Sequence, residues 1–176
     1  DIINISNDES AAADLAELNP YNETPTLVDR DLLLHDASVI NDYLDERYPH
    51  PPLMPVDPVS RARLRLIHHR VIRDWYPLVE EIETASATKA DKARQHLKEA
   101  IVAANDLFKP SNFVLSDELS LVDCTLAPLF WRLPAYGIDL GKPGASVQGY
   151  IQRLISRRSF KLSLTRAERE MILNAA

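Results

Sequence analysis

Few residues in this 176-residue chain have the type and spacing to do chemistry. Tyr48-Pro49-His50-Pro51-Pro52 sets an imidazole among prolines. Prolines hold a segment stiff, so little freedom is lost on binding, and the imidazole adds a polar handle. That is the chemistry of a partner-binding loop, or else of a stiff interdomain hinge carrying an incidental histidine. His68 and His69 are adjacent, hence on different helical faces, and no Cys, Asp or Glu stands at ligand spacing, so no metal site is expected. Cys124, the single cysteine, begins an apolar run and reads as a small core residue rather than a nucleophile. With four glycines in the chain there is no Gly-rich loop to cradle a phosphate. Arg61, Arg63, Arg65, Arg70 and Arg73 form a basic run with no acid between residues 58 and 73. They read as solvated or dimer-contacting side chains, or as a contact for an acidic protein surface.

The elements that must carry these residues follow from the prolines. Five of the twelve fall at Pro49, Pro51, Pro52, Pro55 and Pro58, where neither a helix nor a central strand can pass. Residues 49–58 therefore read as a linker between a short mixed domain, 1–48, and a helical one, 59–176. In the first, 1–6 is β-rich, Ala11 to Leu18 suits a helix ended by Asn19-Pro20, and Thr26–Asp29 with Leu32–Leu34 reads as a hairpin. Asp36 caps a further helix through Ile40 and Leu44. In the second, Leu64, Ile67, Val71, Leu78 and Ile82 mark one long helix kinked by Pro77. Ala93 to Phe108 gives another, and Ser120-x-x-Asp123 opens an almost wholly apolar one. Val147, Ile151 and Leu154 mark a fourth, and Thr165-x-x-Glu168 is the capping box of a last short helix. Trp75, Tyr76 and Trp131 sit in helical patterns as core or interface aromatics. The balance of 20 Lys plus Arg against 26 Asp plus Glu, a formal charge of −6, argues against binding nucleic acid by phosphate neutralisation. One cysteine and no long apolar run point to the cytoplasm.

Asn19-Pro20, then Thr24-Pro25-Thr26-Leu27-Val28-Asp29, the hairpin, Asp36-Ala37-Ser38-Val39-Ile40 and Tyr43-Leu44 resemble the thioredoxin-like domain of the glutathione transferase superfamily. The Ser120 capping box with Leu126, Pro128 and Leu129 resembles the core helix of its helical domain. The resemblance implies an α/β plus all-α fold: a thioredoxin-like N-terminal domain followed by an all-helical transferase C-terminal domain. It implies that Pro25 is cis, with the backbone of Thr24 facing the cysteinyl part of glutathione. It also implies a strand and a helix, roughly 30 residues, ahead of residue 1, carrying the residue that activates the glutathione thiol. Ile2, Ile3 and Ile5 are then expected to lie beside that strand.

Longer blocks narrow the match to a non-catalytic bacterial branch of the superfamily whose members associate with RNA polymerase. These are Tyr43 to Val56, Asp74-Trp75-Tyr76, Leu115 to Cys124, Leu129 to Pro134 and Thr165 to Met171. In that branch the matching Pro-His-Pro is an exposed site needed for transcriptional activation. The family grips the glutathione carboxylate with an acidic or amide residue followed by Ser; here the pair is Asp36 and Ala37, and Ala37 has no hydroxyl. Losing one hydrogen bond to a charged group costs roughly 1.5–3 kcal/mol, or ten- to a hundredfold in affinity. The expectation is a non-catalytic, homodimeric regulator that binds RNA polymerase holoenzyme and touches DNA only through it, with Tyr48 and Pro49 to Pro52 as the partner-binding loop. Thr24, Pro25, Asp36 and Ala37 are a glutathione-site remnant, and no cofactor is expected. The alternative is a glutathione-dependent transferase.

Overall fold

The Ala-rich stretch, free of β-branched residues, winds into α1 (Glu9–Leu18), which buries Leu15 and stops where Pro20 removes the next donor. The computed structural model describes residues 2, 3, 5, 9–109 and 111–173. β1 (Thr26–Asp29) and β2 (Leu32–His35) pair antiparallel, with Thr26 opposite His35 and Asp29 opposite Leu32. The two-residue connection places Arg30 at φ 58°. α2 (Ala37–Arg47) buries Ile40, and its Tyr43 hydroxyl donates to Asp29 Oδ2, fastening helix to hairpin.

The expected strand at 1–6 falls partly on Asp1, Asn4 and Ser6, which lie outside the described residues. Ile2 and Ile3 are in no strand and are 92% and 73% exposed. Isoleucine propensity makes a strand only where a neighbour shares the ladder, and among the described residues the sheet is the β1–β2 pair alone.

The chain divides into two compact units, Asp1–Pro52 and Leu53–Ala176. The proline-rich run is shared between them. Met54 is buried in the helical core and the Leu53 carbonyl accepts from Leu121 N–H at 3.0 Å, so this part of the run is packed structure rather than a free spacer.

In the helical unit α3 (Pro58–Arg70) starts with Pro at its first position and the Asp57 carboxylate accepting from Ser60 N–H at 2.7 Å. The long helix expected to kink at Pro77 instead breaks one turn earlier. Val71–Trp75 forms a π turn in which Tyr76 N–H reaches Val71 O, and α4 (Tyr76–Thr84) resumes with Pro77 in its first turn. Pro77 has no N–H and its ring crowds the carbonyl four residues back, so the chain absorbs one extra residue before it. α5 (Ala87–Ala103) ends in a 3₁₀ turn, Asn105–Phe108, where one continuous helix to Phe108 was expected. α6 (Leu121–Arg132) is buried on almost every side, and α7 (Ala145–Ser156) packs beside it. A short α8 (Arg158–Ser163), not foreseen, precedes α9 (Arg166–Leu173). The Thr165 box forms as expected: Thr165 Oγ1 accepts from Glu168 N–H, and Glu168 Oε2 accepts from Thr165 N–H and Oγ1–H.

Asp123, fully buried, holds the start of α6. Its Oδ2 accepts from Ser120 N–H at 2.7 Å and the Ser120 hydroxyl at 2.6 Å. Its Oδ1 accepts from Val114 N–H at 3.0 Å and the Tyr150 hydroxyl at 2.7 Å. Phe108, Phe130 and Tyr150 pack around this point with ring centroids 4.7 to 6.0 Å apart.

Asp123→Ala orphans buried donors from three segments, each costing about 1–3 kcal/mol, so a loss of at least about 3 kcal/mol is expected as a lowered urea midpoint. Burial pushes the Tyr76 phenol up to about 12, and burial followed by the Asp123 charge raises Tyr150 further still. A raised folded pKa means stability that is complete below pH 10 and declines as pH climbs through Tyr76's folded value near 12. Alkaline titration of the native protein should leave Tyr76 and Tyr150 un-ionised at pH 10, with phenolate absorbance from Tyr76 appearing only as the pH nears 12 or the protein unfolds.

Candidate functional site

α2 ends at Tyr48, whose N–H still reaches Leu44 O while its own backbone turns to extended values. His50 N–H then bonds Tyr48 O at 2.9 Å, closing a three-residue turn about Pro49, a geometry that the fixed φ of proline suits. The His50–Pro51 peptide is cis. Tyr48 is 66% exposed and Pro49, His50, Pro51 and Pro52 are exposed beside it. The Arg47 guanidinium lies 5.6 Å from the Tyr48 ring centroid. Helix end, turn and prolines thus present one phenol and one imidazole on a stiff support: a surface for recognition, with no buried base or nucleophile in it.

The remnant residues gather elsewhere. Thr26 pairs with His35, so Thr24-Pro25 and Asp36-Ala37 lead out of the same end of the hairpin. The Thr24–Pro25 peptide is cis, as the family resemblance implied. The loop before it is pinned by Asn19, which is fully buried. Its Nδ2 donates to Glu23 O at 3.1 Å and Thr26 Oγ1 at 2.9 Å, and its Oδ1 accepts from Tyr21 N–H at 3.0 Å. Asn19 reads from sequence only as a helix stop; an amide just ahead of a proline, with a threonine seven residues on, was the available signal. Asp36, at φ 73°, accepts from Ser38 N–H at 2.8 Å and Val39 N–H at 3.1 Å through Oδ1. Its carboxylate therefore occupies donors in the first turn of α2 that an outside anion needs. The eleven residues of α2, about 16 Å of helix, separate this cluster from the Tyr48 loop. The structure thus splits the expected site residues into two groups at opposite ends of one helix.

On α3, Arg61 is not free: its Nε donates to Pro55 O at 2.7 Å. Arg63, Arg65 and Arg70 are exposed, and Arg73 pairs with Asp74 at 2.8 Å. That guanidinium holds the Asp74 carboxyl below its ordinary value. Val59 and Leu66, two turns apart on α3, are 59% and 60% exposed. Cys124 is half-buried rather than sealed in the core and lines a cavity. Among the described residues no three His, Cys, Asp or Glu side chains converge as metal ligands, and no helix is long and apolar enough to cross a membrane.

The charge is unevenly shared, which the whole-chain value of −6 conceals. Residues 1–52 hold 12 acidic and 2 basic side chains, while 53–176 hold 14 and 18. The unit that carries the Tyr48 loop is strongly acidic, and the helical unit is basic.

The glutathione S-transferase N-terminal domain family matches residues 1–52 and the C-terminal domain family matches 66–158. A stringent starvation protein A homolog from Histophilus somni is 46% identical over 161 residues, covering 91% of this chain and 76% of the relative. A second, from Pasteurella multocida, is 45% identical over 152 residues, covering 86% and 72%. The chain belongs to the stringent starvation protein A family. Its fold is that of the transferases: a solved ternary complex of BphK, a bacterial glutathione S-transferase, superposes with a TM-score of 0.78 at 23% identity, covering 88% of this chain and 78% of that one. The chain thus combines a thioredoxin-like N-terminal domain with a helical transferase C-terminal domain, and its Pro49-His50-Pro51 run lies exposed just past the end of α2.

If Asn19 sets the loop, Asn19→Ala should cost about 1–3 kcal/mol in urea unfolding and speed amide exchange at Tyr21, whose N–H loses its acceptor.

Proposed function

We propose that this protein is a non-catalytic transcription regulator of the starvation or stress response, acting in the cytoplasm as a homodimer that docks on RNA polymerase holoenzyme. The observation that carries the reading is the exposed, proline-stiffened Tyr48-Pro49-His50-Pro51-Pro52 surface in a chain of this family. Stiffness lowers the ordering cost of docking, and the phenol and imidazole give a partner an aromatic face and hydrogen-bonding atoms. The acidic balance of residues 1–52 favours a basic partner surface and speeds encounter with it. DNA is reached only through the polymerase.

A catalytic role has little support at the remnant site. Asp36 caps its own helix, and Ala37 offers a methyl group where a transferase offers a hydroxyl. Glutathione is therefore not required, and no other cofactor is invoked. For the dimer, α3 supplies exposed Val59 and Leu66 flanked by Arg63 and Arg70, an apolar strip with cations beside it. A second copy supplies the acidic complement.

Affinity-tagged protein should retain polymerase holoenzyme from purified components. His50→Ala should lower retention about tenfold or more, with an unchanged urea midpoint because the ring is exposed. Undiminished retention by that variant, or glutathione-dependent turnover of a generic electrophile by the wild type, would sink this reading.

A further inference from the structure

The helical unit contains a cavity of about 380 Å³ that the reading above does not use. α6 contributes Cys124, Ala127 and Trp131 to its wall, α7 contributes Leu154 and α8 contributes Phe160. The Trp131 and Phe160 rings meet edge-on with centroids 6.2 Å apart, so one side of the cavity is aromatic; Leu119, Ala127, Leu154 and Leu164 add aliphatic wall, and Ser159 and Ser163 add hydroxyl groups. Its volume lies within the range of small-ligand sites.

Three charged side chains border it: Arg132, Arg157 and Glu168. Glu168 is already paired, since Oε1 accepts from Arg132 Nη2 at 3.1 Å and Oε2 accepts from the Thr165 N–H and hydroxyl. Arg132 is fixed as well, with Nη1 donating to Pro128 O at 3.2 Å. Arg157 differs. Its guanidinium rests 5.3 Å from the Phe113 ring centroid, and among the described residues no carboxylate lies within ion-pairing distance of it. The border thus carries net positive charge, and its one cation without a carboxylate partner among the described residues is Arg157, an exposed side chain on the rim whose guanidinium rests on the Phe113 ring beside it. Neutral apolar molecules leave that cation unused, and amines are repelled by it. A carboxylate pairs with it bidentately while its apolar body displaces water from Trp131 and Phe160.

We propose that this cavity, between α6, α7, α8 and α9, binds a small monocarboxylate with an apolar body, Arg157 taking the carboxylate and Trp131 and Phe160 the body. Such a ligand braces α8 and α9 against α6, and so places a ligand-responsive element in the helical unit, distinct from the Tyr48 loop.

The chain's composition makes the test direct, because it has one cysteine and two tryptophans. In the Trp75→Phe variant of this 176-residue chain only Trp131 remains to report. Decanoate, below its micellar concentration, tests an aliphatic body and 4-phenylbutyrate an aromatic one; decanol and decylamine are the uncharged and cationic controls. At least one of the acids should shift Trp131 emission saturably. It should also slow maleimide labelling of Cys124 about fivefold or more, since thiol and ligand share the space. Arg157→Gln, a surface change, should weaken the acid about tenfold and leave decanol unchanged. If both acids fail to shift emission and fail to protect Cys124, or if decylamine matches the acids, the proposal is overturned. Equal acid affinity in Arg157→Gln overturns the assignment of Arg157.

Discussion

The helical unit is organised by one buried negative charge. A carboxylate offers two oxygens and only accepts, which is what the start of α6 requires: Asp123 takes the Ser120 N–H and hydroxyl on one oxygen and Val114 N–H and the Tyr150 hydroxyl on the other. The four donors come from the cap of α6, the loop before it and α7, so one side chain fixes three segments in register. The helix N-terminus adds favourable dipole, which together with the donors offsets the desolvation of the charge. A neutral amide in its place has one accepting oxygen and presents two hydrogens to donors that need none. Because α6 is held at its start, its far end is placed as well, and there Arg132 meets Glu168 of α9. The walls of the apolar cavity therefore descend from the same constraint.

How much of this was legible in sequence depended on range. The two capping boxes, Asp36 as a cap and the hairpin between Thr26 and His35 are written within four to ten residues, and short-range chemistry decides them. Tyr150 and Asp123 are 27 residues apart, and nothing local in either announces the other. The π turn is an intermediate case. Pro77 signalled a disturbance, but the backbone moved it to Val71–Trp75, where the extra residue could be accommodated ahead of the ring. The isoleucines at 2 and 3 signal strand propensity, but a strand is a property of a pair of segments, and among the described residues none pairs with them. At the candidate site the proline-flanked histidine was plain in the sequence, since prolines report stiffness directly. Asn19 was not, because its meaning lies in which carbonyl and hydroxyl its amide reaches after the loop has closed.

Asp36 shows how a helix terminus can be occupied by its own cap. The first-turn N–H groups of α2 form an anion site for whichever carboxylate reaches them first. Asp36 is tethered and gives up only its own side-chain freedom to bind Ser38 and Val39, whereas a free ligand carboxylate must also give up translation and rotation, a cost on the order of 4–15 kcal/mol. An external anion must therefore displace an internal one, and must do so without a hydroxyl from Ala37. It must also approach a unit with 12 acidic and 2 basic side chains, whose field opposes it. The same field attracts a basic protein surface to the other end of α2, where the Tyr48 loop is exposed. One helix thus separates a terminus whose first-turn donors are taken by its own cap from a terminus with an exposed phenol and imidazole, and on the proposed reading the charge of the unit disfavours a small anion at the first and favours a basic protein surface at the second.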